Sequence, residues 1–212
     1  TVSLSGNLYV LILGLSLLVV LNYSKLELRN HYKKIRSTFT SKQIVDFSIE
    51  IANRTLELNI WDKSVYHLFM SSKQNKEIDT SILLSILLGK DKQPAIPKVL
   101  DDFQLEHYLL SDQTSLKINN FGIPEPQHGI KINPIQIDVV FVPLLIFDNQ
   151  GHRVGYGKGY YDRFLVKCSR ETIKVGLSYF NPIERIDDIQ IHDIPIDYGI
   201  TRDRIYRFPH SN

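Results

Sequence analysis

Phe147-Asp148-Asn149-Gln150-Gly151-His152-Arg153-Val154-Gly155-Tyr156-Gly157-Lys158-Gly159-Tyr160-Tyr161-Asp162-Arg163-Phe164 sits between an apolar run and a helical pattern, and this junction sets the fold class of the chain. The run ahead of it, residues 139–146, is rich in Val, Phe and Ile and reads as a buried strand. Behind it, residues 160–168 read as a helix. Gly155, Gly157 and Gly159 stand at alternate positions of the turn between them. Glycine there reaches backbone angles closed to other residues and lets successive N–H groups converge on one anion. The following helix points its N-terminal N–H groups the same way. Lys158 adds a mobile cation, Arg153 a forked donor and Asp162 a carboxylate able to hold Mg2+ beside phosphates. The segment reads as a phosphate cradle in an enzyme that handles a nucleotide.

The spacing G-x-G-x-G matches neither the dinucleotide fingerprint nor the P-loop, and glycines before a helix equally make a tight connection. The attached Arg153, Lys158, Tyr160, Tyr161 and Asp162 move the reading toward a site. Past Tyr23, helix and strand patterns alternate. This predicts an α/β fold over residues 23–212, a single three-layer domain with a mainly parallel central sheet flanked by helices. Over residues 25–37, Leu28, Tyr32 and Ile35 form one helical stripe while Lys25, Arg29, Lys33 and Arg36 fill the polar remainder. Thr40 and Gln43 read as a capping box opening a second helix whose inner face carries Ile44, Phe47 and Ile51. Strands are expected at 65–70, 94–99, 105–109 and 173–179, a helix at 80–88 closed by Gly89, and a Gly- and Pro-rich loop across 120–133.

A chain of 212 residues, 43% hydrophobic and 23% charged, can bury one good core. Its formal charge of +2, from 25 basic and 23 acidic residues, argues against nucleic acid as a partner. A single cysteine, Cys168, excludes an internal disulfide, and the seven histidines show no zinc-ligand spacing. Residues 8–21 form a nearly unbroken apolar run, shorter than the roughly 20 residues that cross a bilayer. No basic residue precedes it and no small-residue cleavage site follows, as a secretory signal would require. Residues 1–22 are read as an apolar leader with three origins open: an upstream extension of a misplaced gene start, a short membrane anchor, or a core helix without a polar face. The basic residues that follow keep the body cytoplasmic, with membrane contact only if 8–21 is an anchor.

The glycine segment resembles the signature of the 5-formyltetrahydrofolate cyclo-ligases, also called methenyltetrahydrofolate synthetases, which runs close to F-D-x-x-G-x-R-x-G-x-G-x-G-Y-Y-D. The similarity continues in order from about Lys25 to Phe208. Lys25-Leu26-Glu27-Leu28-Arg29 is similar to the family's K-x-x-L-R opening, which places Lys25 and Arg29 on ATP phosphates. Alone, such a run equally reads as a solvated helix face. Residues 69–80 resemble the family's substrate loop, which implies that Glu77 takes the amino-pyrimidine edge of the pterin and Met70 packs on it. A carboxylate suits that edge, because it accepts two N–H donors from a flat guanidine-like group.

In the glycine loop, the resemblance places ATP on Arg153, Gly155, Tyr156, Gly157, Lys158, Gly159, Tyr160 and Tyr161, and folate on Tyr156, Gly157, Lys158, Gly159 and Tyr160. Tyr161 equally reads as an aromatic that seats the helix on the sheet. Ile191 to Asp197 is similar to the family's closing segment, which implies that Asp193 joins Asp162 on Mg2+; read alone, Asp193 is a turn former. Gly122 to Pro126 and Pro97-Lys98 resemble the family's I-P-E-P turn and Pro-basic pair, and no chemistry is assigned to them.

The resemblance implies closure of 5-formyltetrahydrofolate to 5,10-methenyltetrahydrofolate, with ATP as co-substrate, Mg2+, Lys158 and Arg153 as the catalytic pair, and a phosphorylated formyl intermediate. It further implies a monomer with small-molecule partners. Two other readings stay open at this point: a nucleotide- or phosphate-binding regulatory protein on the same fold, favoured if Glu77 or Asp193 faces away from the loop, and a membrane-tethered interaction protein that works through its leader.

Overall fold

The computed structural model describes residues 23–120 and 122–209, together with the backbone of Val10, Leu11, Leu18 and Val19. The expectations for residues 1–22 otherwise lie outside the described residues. The elements run β1 (Val10–Leu11), β2 (Leu18–Val19), α1 (Lys25–Ser37), α2 (Ser41–Thr55), β3 (Val65–His67), α3 (Ser81–Gly89), β4 (Gln93–Val99), β5 (Leu105–Leu109), β6 (Ser115–Ile118) and β7 (Pro124–His128). They continue with β8 (Lys131–Ile132), β9 (Val139–Pro143), β10 (Ile146–Phe147), β11 (Arg153–Val154), α4 (Tyr160–Leu165), β12 (Ile173–Leu177), β13 (Tyr198–Ile200) and β14 (Ile205–Arg207). Eight strands form the main sheet in the order β14-β13-β12-β9-β3-β4-β5-β8. From β13 to β4 neighbours are parallel, while β14, β5 and β8 join antiparallel.

Strand β9 shows why the sheet takes this form. Val139, Val140, Phe141 and Val142 are all fully buried, as a central parallel strand covered on both faces requires. Val139 and Phe141 share a cluster with Ile51 of α2 and Leu83 of α3. Val140 and Val142 cluster with Phe164 and Leu165 of α4. Alternate side chains thus feed two cores, with helices on both faces. Two capping boxes start the helices: Ser24 with Glu27 opens α1, and Thr40 with Gln43 opens α2.

Four expectations are corrected. The apolar run at 139–146 is not one strand, since sheet pairing stops at Pro143, and β10 pairs antiparallel with β11 in a separate hairpin. The supposed loop at 120–133 holds β7 and β8. Pro124 and Pro126 are tolerated there because β7 pairs only with β6, so one edge needs no donors. The 65–70 strand and the 160–168 helix stop early, at His67 and Leu165. Among the described residues no helix is long and apolar enough to cross a membrane.

The order of the sheet locates the site. From β3 the chain moves to β4 on one side, and from β9 it moves to β12 on the other, yet β3 and β9 are neighbours. Ligands in open α/β sheets bind outside the carboxyl ends of the strands at such a reversal. The loops leaving β3 and β9 there are the 68–80 segment and, beyond the β10–β11 hairpin, the glycine loop.

Beneath α4 lie two histidines in the core, His67 and His107, with ring centroids 5.2 Å apart. His107 stacks on Phe164 at 4.0 Å, and neither ring has a well-formed hydrogen bond. Burial drives His67 well below its ordinary value, with the charge of His107 adding to it. Burial, helped by Lys167, lowers His107 from 6.5 to about 4. Both rings are neutral in the fold and take a proton in the unfolded chain, so stability is complete above pH 6.5 and falls as pH drops toward 4. Each should contribute about 1.4 kcal/mol per pH unit to that slope. Urea unfolding across this range should show the loss, and His107→Leu should flatten it; an unchanged slope in the variant removes the assignment.

Candidate active site

The hairpin that aims the glycine loop is fixed by Asp148, which is fully buried. Its carboxylate accepts from the N–H groups of Gln150 (2.9 Å), His152 (3.0 Å) and Ile186 (3.1 Å). Gly151 completes the turn at φ +85°, where an added Cβ would lie 2.8 Å from the Ile196 carbonyl oxygen. Strand β11 then delivers Arg153, whose guanidinium pairs with Asp162 at 2.7 Å and donates to the Ile194 carbonyl oxygen. Burial pulls the Arg153 pKa down, while Asp162 and Asp193 favour its charge.

Within the loop, Gly157 and Gly159 take positive φ values of +90° and +69°, and Gly159 forms the left-handed N-cap of α4. Gly155 has no such angle and open space where a Cβ would stand, so the expectation that all three glycines serve unusual backbone angles holds for two. Helix α1 lies against the loop: Arg29 Nε donates to the Gly155 carbonyl oxygen at 2.9 Å. A Cβ on Gly157 would come within 2.9 Å of Arg29 Cζ. Lys158 is exposed at the tip, and Arg163 donates to its carbonyl oxygen at 3.1 Å.

Glu77 and the loop meet directly. The Tyr156 hydroxyl donates to Glu77 Oε1 and accepts from Arg36 Nη2 at 2.7 Å. Glu77 Oε2 accepts from the Ser72 N–H at 2.6 Å. Burial and the charge of Glu77 push the Tyr156 hydroxyl far above its ordinary range. The hollow at this meeting point is lined by Arg36, Phe69, Glu77, Tyr156, Leu177 and Tyr179, among others. Its water-sized free space is about 10 Å³, the room of one water molecule. Met70 is half-buried and does not line this hollow, whereas its neighbour Phe69 does.

The two expected metal carboxylates lie in one region. Asp193 pairs with Lys25 and accepts from the Gln190 N–H at 2.6 Å; Asp162 accepts from the Ile194 N–H at 3.2 Å. Burial opposes the Asp193 charge, but Gln190 and Lys25 outweigh it and hold its pKa below the ordinary value. Among the described residues, no group of three or more His, Cys, Asp or Glu forms a closed metal cage. Tyr160 meets Phe103 at 5.9 Å between ring centroids. Tyr161 packs into both cores and against His67. The sequence placed Arg36 on the polar face of α1, yet it is 5% exposed. Helical periodicity carries no signal of the loop that covers it.

A profile of the 5-formyltetrahydrofolate cyclo-ligase family matches residues 22–201. The chain belongs to this family. Among its relatives, the 5-formyltetrahydrofolate cyclo-ligase of Haemophilus influenzae is 32% identical over 160 residues, or 72% of this chain and 84% of that protein. The mouse protein of the same name (Mus musculus) is 25% identical over 199 residues, covering 87% and 97%. The solved structure of Aquifex aeolicus 5,10-methenyltetrahydrofolate synthetase matches with a TM-score of 0.75 at 29% identity, over 89% of this chain and 94% of that one. Membership makes this α/β chain a ligase of folate metabolism.

Asp148 anchors the cyclo-ligase loop without touching it. Asp148→Asn should leave at least one buried N–H without its acceptor and lower stability by about 1–3 kcal/mol or more. Denaturant melts should show that loss, and an unchanged midpoint would remove the anchoring role.

Proposed function

We propose that this chain catalyses the ATP- and Mg-dependent conversion of 5-formyltetrahydrofolate to 5,10-methenyltetrahydrofolate, releasing ADP and phosphate through a phosphorylated formyl oxygen. The observation that supports it best is the contact between the glycine loop and Glu77 at the carboxyl ends of β3 and β9. A phosphate cradle and a carboxylate suited to a guanidine-like edge share one cleft, so two substrates can meet there.

In this reading the formyl oxygen attacks the γ-phosphorus as its bond to the ADP oxygen breaks. Nitrogen 10 then attacks the activated formyl carbon, loses its proton to water, and phosphate leaves as the ring closes. The protein's part is positioning and charge compensation, with no side-chain nucleophile. Lys158 and the amides between Gly155 and Tyr161 hold the phosphates, supported by Lys25 and Arg29 from α1. Arg153 contributes by fixing Asp162 and the base of the loop. Glu77 takes the pterin, with Tyr156 and Tyr160 beside it.

Asp162 and Asp193 fit Mg2+, which takes one or two carboxylates and completes its shell with water and phosphate oxygens. Bound there with ATP, it would neutralise phosphate charge. Lys25, now on Asp193, would then be released toward the phosphates.

Mixing the protein with MgATP and 5-formyltetrahydrofolate should raise absorbance in the methenyl-folate band; no rise with folded protein that binds nucleotide favours a regulatory role instead. Lys158→Ala should lower turnover by about 100-fold or more while stability stays within about 0.5 kcal/mol. Unfolding of that variant would show a structural lysine. Asp162→Asn should weaken the Mg2+ dependence of turnover, and an unaltered Mg2+ titration would remove its ligand role.

A further inference from the structure

The polar groups around Tyr156 form a donor and acceptor pattern that the proposed reaction does not explain. Glu77 accepts from the Tyr156 hydroxyl, and Arg36 donates to the same oxygen at 2.7 Å. Arg36 is 5% exposed and its guanidinium carbon lies 5.4 Å from the Tyr156 ring centroid. A single hydroxyl therefore serves as both donor and acceptor between a carboxylate and a guanidinium. The hollow around it has room for one water, far less than the volume of a ligand pocket. A flat bicyclic ring enters only if the phenol leaves.

The edge of a 2-amino-4-oxopterin carries an amino group, an N3–H and a C4 carbonyl side by side. The first two are donors that suit a carboxylate, and the third is an acceptor that suits a guanidinium. The Tyr156 hydroxyl offers the last two of these, one donor and one acceptor, to the same two residues.

Resting on the folate reading of this cleft, we propose that Arg36 is a specificity-determining residue that reads the C4 oxygen of the pterin beside Glu77. The Tyr156 hydroxyl takes the place of the pterin's lactam edge between these two residues. Substrate replaces one hydrogen-bonded partner with another, so neither buried charge is left without one. The phenol it expels hangs between Gly155 and Gly157, so entry of the pterin moves the phosphate loop.

Two measurements of binding without ATP, by calorimetry, test this. The first compares 5-formyltetrahydrofolate with its 4-thioxo analogue, which keeps the amino group and N3–H for Glu77 but offers Arg36 a much poorer acceptor. Wild-type protein should prefer the oxo ligand by about tenfold or more, since a site built around a hydrogen bond rejects a ligand lacking it. Arg36→Met should reduce the preference to less than about twofold, and Arg36→Lys, which keeps a cationic donor, to an intermediate value. The preference is a ratio within one protein, so a merely structural arginine would not alter it. An unchanged ratio in the folded variants overturns the role of Arg36.

The second measurement compares wild type with Tyr156→Phe, which keeps the ring but loses the hydroxyl. The arrangement with the phenol between Glu77 and Arg36 is then less favourable, and folate should bind at least about fivefold more tightly. Equal or weaker binding overturns the surrogate role while leaving the cleft a folate site. If wild-type protein binds neither ligand, the folate reading fails, and this proposal with it.

Discussion

The pairing of Arg153 with Asp162 is the constraint on which the cleft depends. One residue lies in the second strand of the hairpin and the other in the first turn of the helix, so their bond closes the base of the glycine loop. Arg153 also donates to the Ile194 carbonyl oxygen, and the Ile194 N–H returns to Asp162. That reciprocal arrangement brings the 191–197 segment alongside, with Asp193 in position to hold Lys25 of α1. Four distant parts of the chain therefore converge through two carboxylates and two cations. Breaking a buried pair by removing one partner typically costs about 3–5 kcal/mol, which is a large share of a domain's stability.

Such a frame leaves the loop rigid at its ends and adjustable in its middle. Arg29 supports Gly155 and Gly157 from below, while the side chains of Tyr156 and Lys158 project in different directions. Tyr156 is directed into the hollow and Lys158 is exposed. A motion of the loop that carries Tyr156 out of the hollow also carries the neighbouring amides and Lys158. On the proposed function, the folate and phosphate halves of the cleft would then share one moving part.

Much of this could be read from the sequence where the local signal and the tertiary structure agree. Thr40 and Gln43 declared the start of α2 because a capping box is a local device. The glycine loop was legible because its cations and carboxylate lie within ten residues of one another. The break after Pro143 was hidden: residues on both sides of it are buried and apolar, so composition does not change where the chain leaves the sheet. Strand β7 was hidden for the opposite reason, since Pro124, Pro126 and Gly129 signal a loop wherever edge pairing is not yet known. Arg36 was assigned to solvent by a periodicity that describes one helix, whereas its burial is caused by Tyr156, 120 residues away. Contacts of that separation leave no trace in a local pattern.

The electrostatics of the cleft bear on how a chain of so small a net charge would hold the proposed polyanion. Lys25, Arg29, Lys33, Arg36 and Arg153 lie in a region whose carboxylates include Glu77, Asp162, Asp188 and Asp193. Lys33 registers the resulting field: burial first, then the charges of Arg29 and Arg36, lower its pKa from the ordinary value. The pairs Lys25–Asp193 and Arg153–Asp162 relieve part of that field. On the proposed function, an incoming phosphate chain would relieve the rest. The same carboxylates would then be available to a cation arriving with the phosphates. Asp162 and Asp193 can therefore belong to the frame in one state and to the chemistry in the other.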